Sequence, residues 1–257
     1  MGPLPNQAEI TDRVHALRTR LQELGRPDVR IIGVTKTHGP EAIRALLEAG
    51  ISDIAENRQN EARDKFPLVD LNHPTPVPTP IYHHIGPLQS GAARQIPGLF
   101  HYVHGASSEK AIRVLAAAAD RYLATVRNQT GQPPPPLHYL IQVRLTDEES
   151  KLGGMEVDQL CALAPHFPES EGLKCAGLMA MGPESGAPDE ARRVFRRLRE
   201  LRDDLLPGKE LSMGMSQDWE VAVSEGATMI RVGSILLGPR AGAPWKPVGR
   251  TPPKNID

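Results

Sequence analysis

The chain has 257 residues, 39% of them hydrophobic and 24% charged, with a formal net charge of -1. That is enough length and apolar content for one large domain or two small ones with a real core. The near-neutral balance gives no footing for nucleic acid or an anionic membrane surface as partner, and no apolar run is long enough to cross a bilayer.

In chain order, Ile10, Val14, Leu17, Leu21 and Leu24 recur at helical spacing, and Gly25 followed by Pro27 stops that helix. Residues 30–36 form the first predicted strand, apolar through its middle and ending on Lys36. Desolvation disfavours a charged amine at the end of an apolar strand, so Lys36 is either a solvated strand terminus or an amine kept for chemistry, a Schiff base above all. Gly39-Pro40 opens a helix with Ile43, Leu46 and Leu47 on one face, and Gly50 closes it. A second strand at 52–57 precedes a polar helix and a proline-rich loop at 74–80. A third at 81–86 leads into a short helix. The fourth, 100–106, precedes a long helix with Ile112, Leu115, Ala119, Tyr122 and Val126 as its apolar stripe.

Beyond the prolines at 133–136, strands are predicted at 137–143, 173–181, 210–215 and 229–234, with helices after the first three of them. The helix after 173–181 turns Val194, Phe195, Leu198, Leu201 and Leu205 inward. Its arginines, Arg192, Arg193, Arg196, Arg197 and Arg199, alternate with acidic residues and read as a solvated, salt-bridged face. Eight strands in strict β-then-α alternation demand parallel pairing, and a single (β/α)8 TIM barrel with an extra N-terminal helix is the expected α/β fold. An open doubly wound sheet is the alternative, but no GxGxxG follows any strand. The expected barrel covers 1–240, and 241–257 is an irregular tail.

A barrel locates function at the C-terminal ends of its strands, with phosphate sites favoured after strands seven and eight. Leu211-Ser212-Met213-Gly214-Met215-Ser216 and Arg231-Val232-Gly233-Ser234 occupy those two places. Their glycines and serines read either as plain turns or as backbone and hydroxyl donors for an anion. Strand eight closes against strand one, beside Lys36. A phosphate anchor next to a strand-end lysine suits pyridoxal 5′-phosphate, which needs both an anion site and an amine. Arg231 then either faces the cofactor ring or forms an inter-strand ion pair.

Val34-Thr35-Lys36-Thr37, Ala55-Glu56-Asn57, His83-His84-Ile85-Gly86-Pro87-Leu88-Gln89-Ser90, Glu149-Ser150-Lys151, Gly177-Leu178-Met179, the 211–216 run and Val232-Gly233-Ser234 with Gly238-Pro239-Arg240 follow one another in a familiar order. In this the chain resembles the pyridoxal phosphate homeostasis protein family. The resemblance implies a barrel like the N-terminal domain of alanine racemase, with pyridoxal 5′-phosphate bound as an imine on Lys36. It implies Asn57 near the ring, His83 facing the barrel, and Arg231 toward the pyridine nitrogen. Ser212, Gly233 and Ser234 are then on the phosphate, and Met179 is a pocket-lining contact. The chain departs from the family's usual Gly-Glu-Asn-Tyr at Ala55-Glu56-Asn57-Arg58.

Nine histidines raise a metal reading, but adjacent His83 and His84 point to opposite faces of a strand, as do His101 and His104, and no Glu or Cys joins them at ligand spacing. The polar loop at 148–151 reads as solvated. Cys161 and Cys175 lack CxxC spacing, and no leader segment is evident, so a cytoplasmic monomer is expected. Three functions follow. One is a cofactor carrier serving apo forms of pyridoxal phosphate enzymes, without catalytic residues of its own. Another is a weak racemase, for which the tail offers no tyrosine. The third is an aldolase using Lys36, with Glu56 the one acidic residue at a strand end. The carrier is the preferred expectation.

Overall fold

Eight parallel strands follow one another around a closed barrel: β1 (Arg30–Val34), β2 (Asp53–Glu56), β3 (Ile81–His84), β4 (Tyr102–Ala106), β5 (Leu137–Gln142), β6 (Leu173–Met179), β7 (Glu210–Ser212) and β8 (Met229–Val232). The structure is a computed structural model and describes residues 4–71, 76–146, 153–239 and 245–246. β8 returns to β1 in parallel register, with Ile32 opposite Arg231, and this pairing closes the barrel. The expected (β/α)8 architecture and the additional leading helix are both present.

That helix, α1 (Gln7–Glu23), starts at Asn6, whose side chain accepts from the Glu9 amide, and it buries Ile10, Val14, Leu17 and Leu21. Around the barrel lie α2 (Pro40–Glu48), α3 (Gln59–Lys65), α4 (Ser90–Ala93), α5 (Glu109–Thr130), α6 (Val157–Leu163), α7 (Pro188–Leu205), α8 (Trp219–Ser224) and α9 (Ser234–Leu237). Among the described residues no helix is long and apolar enough to cross a membrane.

Strand alternation sorts side chains onto two faces of the wall. Ile31, Ile54, Val103, Ile141, Leu178, Leu211, Ile230 and Val232 face the helices and join the main core. Ile32, Val34, Ala55 and Met229 form one inner cluster, Leu140, Ala176 and Met179 another, and Tyr102 packs against both. Each buried apolar side chain contributes roughly 1.5–3 kcal/mol. A polar group on either face must find a partner or cost a comparable amount.

Several elements differ from the sequence reading. β1 ends at Val34, and Lys36 lies in the following turn. The Thr35 amide donates to the Ala55 carbonyl, and Thr37 then takes a left-handed φ of 73° that no strand can continue. Asn57 lies just past β2, and β7 is only three residues long. The α5 stripe runs through Ala111, Ile112, Leu115, Ala118, Ala119 and Leu123, while Tyr122 is 38% exposed. Strand eight has a helix after all, the four-residue α9. The loop carrying Glu149-Ser150-Lys151, and Arg240 with most of the tail, lie outside the described residues.

Candidate functional site

The inner face of the wall carries one continuous hydrogen-bonded chain. Arg231, on β8, donates from Nη1 to Ser212 Oγ at 2.6 Å and from Nη2 to the Ala180 carbonyl at 3.1 Å. Ser212 Oγ lies 2.8 Å from His104 Nδ1, His104 Nε2 lies 2.9 Å from His83 Nδ1, and His83 Nε2 lies 2.9 Å from Asp53 Oδ1. Arg30 pairs with the same Asp53 oxygen. His83, His104 and Ser212 are wholly buried.

The charge at one end fixes the direction of every bond. Burial works against the Asp53 carboxylate, but His83 and Arg30 outweigh it and hold its carboxyl below the usual range. As a carboxylate it only accepts, so His83 Nε2 carries hydrogen. Burial lowers the His83 pKa in spite of Asp53, and its neutral ring therefore accepts at Nδ1. His104, held well below the usual imidazole range by burial above all, donates from Nε2 and accepts at Nδ1 from the Ser212 hydroxyl. The Ser212 oxygen is left to accept from Arg231. Every donor points away from Arg231 and toward Asp53. Tyr102 stacks on His83 with centroids 4.8 Å apart and holds that ring in place.

Arg231 itself is 5% exposed, and the groups it is hydrogen-bonded to in the inner wall, the Ser212 hydroxyl and the Ala180 carbonyl, are neutral. Burial lowers its pKa to about 10, partly countered by the charge of Asp218, so it remains cationic at neutral pH. Of the two expectations for Arg231, the inter-strand partner is thus a serine hydroxyl, not a carboxylate.

A second buried network lies on the outer face, around the residues that flank Lys36. Lys65, on α3, is wholly buried, with Nζ 2.6 Å from Glu56 Oε1, 3.0 Å from Glu61 Oε1 and 3.1 Å from the Thr35 carbonyl. The Thr35 hydroxyl donates to Glu56 Oε1 at 2.6 Å, and the Thr37 amide donates to Glu61 Oε1 at 2.8 Å. Burial raises the Glu56 pKa, although Lys65 and Thr35 work against the shift. The Trp245 ring lies 5.7 Å from the Lys65 ammonium. Glu56 therefore serves Lys65 and turns away from the barrel interior, which removes the acid/base group that the aldolase reading needed.

The expected site residues fall into three groups, with Met179 apart from them. His83, Ser212 and Arg231 are joined by the inner chain. Ser212, expected on a phosphate, instead has its hydroxyl engaged between Arg231 and His104. Gly233 and Ser234 follow Arg231, with Gly233 buried against β1, where an added Cβ would come 3.1 Å from the Val34 carbonyl oxygen. Ser234 is exposed and starts α9. Lys36 and Asn57 are half-buried just beyond β1 and β2, and Lys36 has the inward parity of Ile32 and Val34. Asn57 packs on Gly86 so closely that a Cβ there would lie 2.1 Å from the Asn57 carbonyl oxygen. Met179 is 2% exposed, against Leu140 and Ala176. A cavity of about 600 Å³ opens beside β2 and β3, and of the expected residues Asn57 alone lines it.

Sequence reading passed over Asp53, Lys65 and Thr37, and met His104 only as a metal ligand set aside. Strand parity pointed His104 inward, and the i,i+4 spacing of Glu61 and Lys65 marked a pair, but neither signal named a partner on another element.

The family described as alanine racemase, N-terminal domain, matches residues 6–241. A pyridoxal phosphate homeostasis protein of Pseudomonas aeruginosa is 37% identical over 248 residues, covering 93% of this chain and 96% of that protein. The protein of the same name from Aquifex aeolicus is 33% identical over 246 residues, covering 91% and 99%. Among solved structures, PipY of Synechococcus elongatus with PLP bound superposes with a TM-score of 0.73 at 32% identity, covering 89% of this chain and all of that one.

Proposed function

The chain belongs to the pyridoxal phosphate homeostasis proteins, within the alanine racemase N-terminal domain family, and from that premise we propose that it binds pyridoxal 5′-phosphate on Lys36 and holds it for other proteins. The role is that of a cytoplasmic monomeric carrier, giving up cofactor to apo forms of pyridoxal phosphate enzymes without turnover of its own. The cofactor supplies an aldehyde that condenses with an amine, releasing water, to give a Schiff base.

One observation carries the reading: Arg231, a buried guanidinium that stays cationic while the groups it is hydrogen-bonded to in the inner wall are a serine hydroxyl and a carbonyl. A cation so placed donates to a neutral ring nitrogen and opposes its protonation. An unprotonated pyridine is a poor electron sink, which favours holding the cofactor over turning it over. The inner chain suits this task because it fixes the Ser212 oxygen as an acceptor and so holds Arg231 without neutralising it. Gly233 and Ser234 offer first-turn amides and a hydroxyl to the phosphate. Asn57 and Met179 would contact the ring, and His83 would act through His104 and Ser212. Ser212 reaches the cofactor through Arg231, and a phosphate contact of its own requires its hydroxyl to leave one of its partners.

Purified protein reconstituted with pyridoxal 5′-phosphate should be yellow, lose that colour on borohydride treatment, and carry the reduced adduct on the peptide containing Lys36. Lys36→Ala should abolish the adduct. A protein that takes up no cofactor, or a Lys36→Ala variant that labels as wild type does, overturns the proposal. Rapid loss of optical purity from single amino-acid enantiomers would replace the carrier with a racemase.

A further inference from the structure

We propose that the buried Glu56–Lys65–Glu61 cluster is a clamp that positions Lys36, by holding the 35–37 turn in a conformation its own residues disfavour. The inference rests on the reading of Lys36 as the cofactor amine, and adds to it the residues that set where that amine points.

Thr37 is the one non-glycine residue with positive φ among those described, at 73°. For a β-branched side chain the left-handed region is a true outlier, and such strain persists only where the surroundings over-determine it. Those surroundings are present on both sides of Lys36. Before it, the Thr35 hydroxyl donates to Glu56 and the Thr35 carbonyl accepts from Lys65. After it, the Thr37 amide donates to Glu61. Lys65 ties the two carboxylates together, and the three charged side chains are between 0% and 4% exposed.

The cluster is not arranged for greatest stability. Glu56 Oε2 and Thr37 Oγ1 are buried without a hydrogen-bond partner among the described residues, and each such atom is a cost the fold retains. A buried ionic group can often be replaced by apolar side chains without loss of stability, so its retention here fits a geometric duty. Glu56 and Lys65 sit on β2 and α3, two regular elements, and they brace a turn whose own backbone closure is the His38 amide to Thr35 carbonyl bond at 3.1 Å.

Glu61→Ala removes the acceptor for the Thr37 amide, and Glu61→Gln keeps an acceptor oxygen without the charge. Glu61→Ala with Thr37→Gly removes the acceptor but lets residue 37 adopt positive φ freely. The primary readout uses the cofactor-free protein: the rate at which trace acetylating reagent modifies Lys36, by peptide mass spectrometry, against exposed Lys110 on α5 as internal standard. Folded Glu61→Ala should change the Lys36 rate by about tenfold, with Glu61→Gln and the double variant returning to within about twofold of wild type. The Schiff-base absorbance after cofactor addition should follow the same order.

A folded Glu61→Ala with an unchanged Lys36 rate overturns the clamp. So does a change that neither rescue variant reverses. Should Glu61→Ala not fold, hydrogen exchange at the wild-type Thr37 amide serves instead: slow exchange is expected, and exchange as fast as in exposed loops overturns it. Failure to take up cofactor with the Lys36 rates as expected leaves the clamp standing and removes the carrier reading alone.

Discussion

Inside the barrel wall, polarity is carried by a line of neutral groups; outside it, by charges that converge. The inner line runs from Arg231 through Ser212, His104 and His83 to Asp53, and its net charges sit only at its ends. The outer cluster packs one ammonium between two carboxylates with almost no exposure. A neutral directional chain can hold a cation without cancelling it, leaving Arg231 able to act on something else. In the convergent cluster one ammonium engages both carboxylates, and the effect passes to the backbone groups of the 35–37 turn that the cluster binds. One network preserves a charge; the other fixes a turn.

The sharpest way to break that contrast is to remove the outer cation. Lys65→Met leaves Glu56 and Glu61 buried without it, and should cost about 3–5 kcal/mol at neutral pH, read from urea unfolding. Burial already raises the Glu56 pKa in the intact protein, and loss of Lys65 raises it further. The folded variant then binds a proton more tightly than the unfolded chain does. Its deficit against wild type should therefore shrink as pH falls through the raised value toward the usual carboxylate range. A Lys65→Met protein as stable as wild type at pH 7 would mean that the cluster is ordinary packing.

The inner network should respond to acid with the opposite sign. Burial, as the largest cause, lowers the pKa of His83, His104 and the neighbouring outward-facing His84, the last to about 4. Unfolded imidazoles take up protons near pH 6.5, while these folded rings do not. Stability is thus full above that value and falls as pH drops below it, toward the folded pKa values. For His84 alone, with its folded pKa at about 4, the loss between pH 6.5 and 5 is about 1.5 kcal/mol. His104→Gln retains a donor for His83 and an acceptor for Ser212 but cannot be protonated. The urea midpoint of that variant should move less between pH 7 and pH 5 than that of wild type. An equal shift in both would show that His104 is not held neutral by the fold.

How much of this was legible in the sequence follows from how local each signal is. Strand and helix alternate within short windows, so the barrel could be read from periodicity. Ser212 and Arg231, in the last two strands, and Lys36 and Gly233, just past the ends of β1 and β8, followed as candidates once the barrel was drawn. His83 could be assigned inward by resemblance, and the structure agrees. The links between residues could not be read. Ser212 and His104 meet across the barrel from β7 and β4, and no spacing along the chain encodes that meeting. Lys65 looked like one charge on a polar helix because its partners Thr35 and Glu56 come from the ends of two strands. Thr37 gave no warning at all, since the usual marker of positive φ is a glycine.

The smallest predicted effect separates burial from composition. On α7, Arg192, Arg196 and Arg199 converge on Glu225, an arrangement as charged as the Lys65 cluster, and this is the salt-bridged face expected of that helix, with its main partner on the neighbouring element. Arg199, 34% exposed, also donates to the Glu225 backbone carbonyl. Because water and salt reach these guanidinium groups, Arg199→Ala should cost only about 0.5–1 kcal/mol, and most of that should vanish at high ionic strength. The Lys65→Met deficit should persist far more fully in the same salt, since Glu56 is wholly buried and Glu61 only borders the cavity beside β2 and β3. If both responded alike to salt, the outer cluster would be hydrated in solution, and a hydrated cluster could not hold Thr37 in its strained turn.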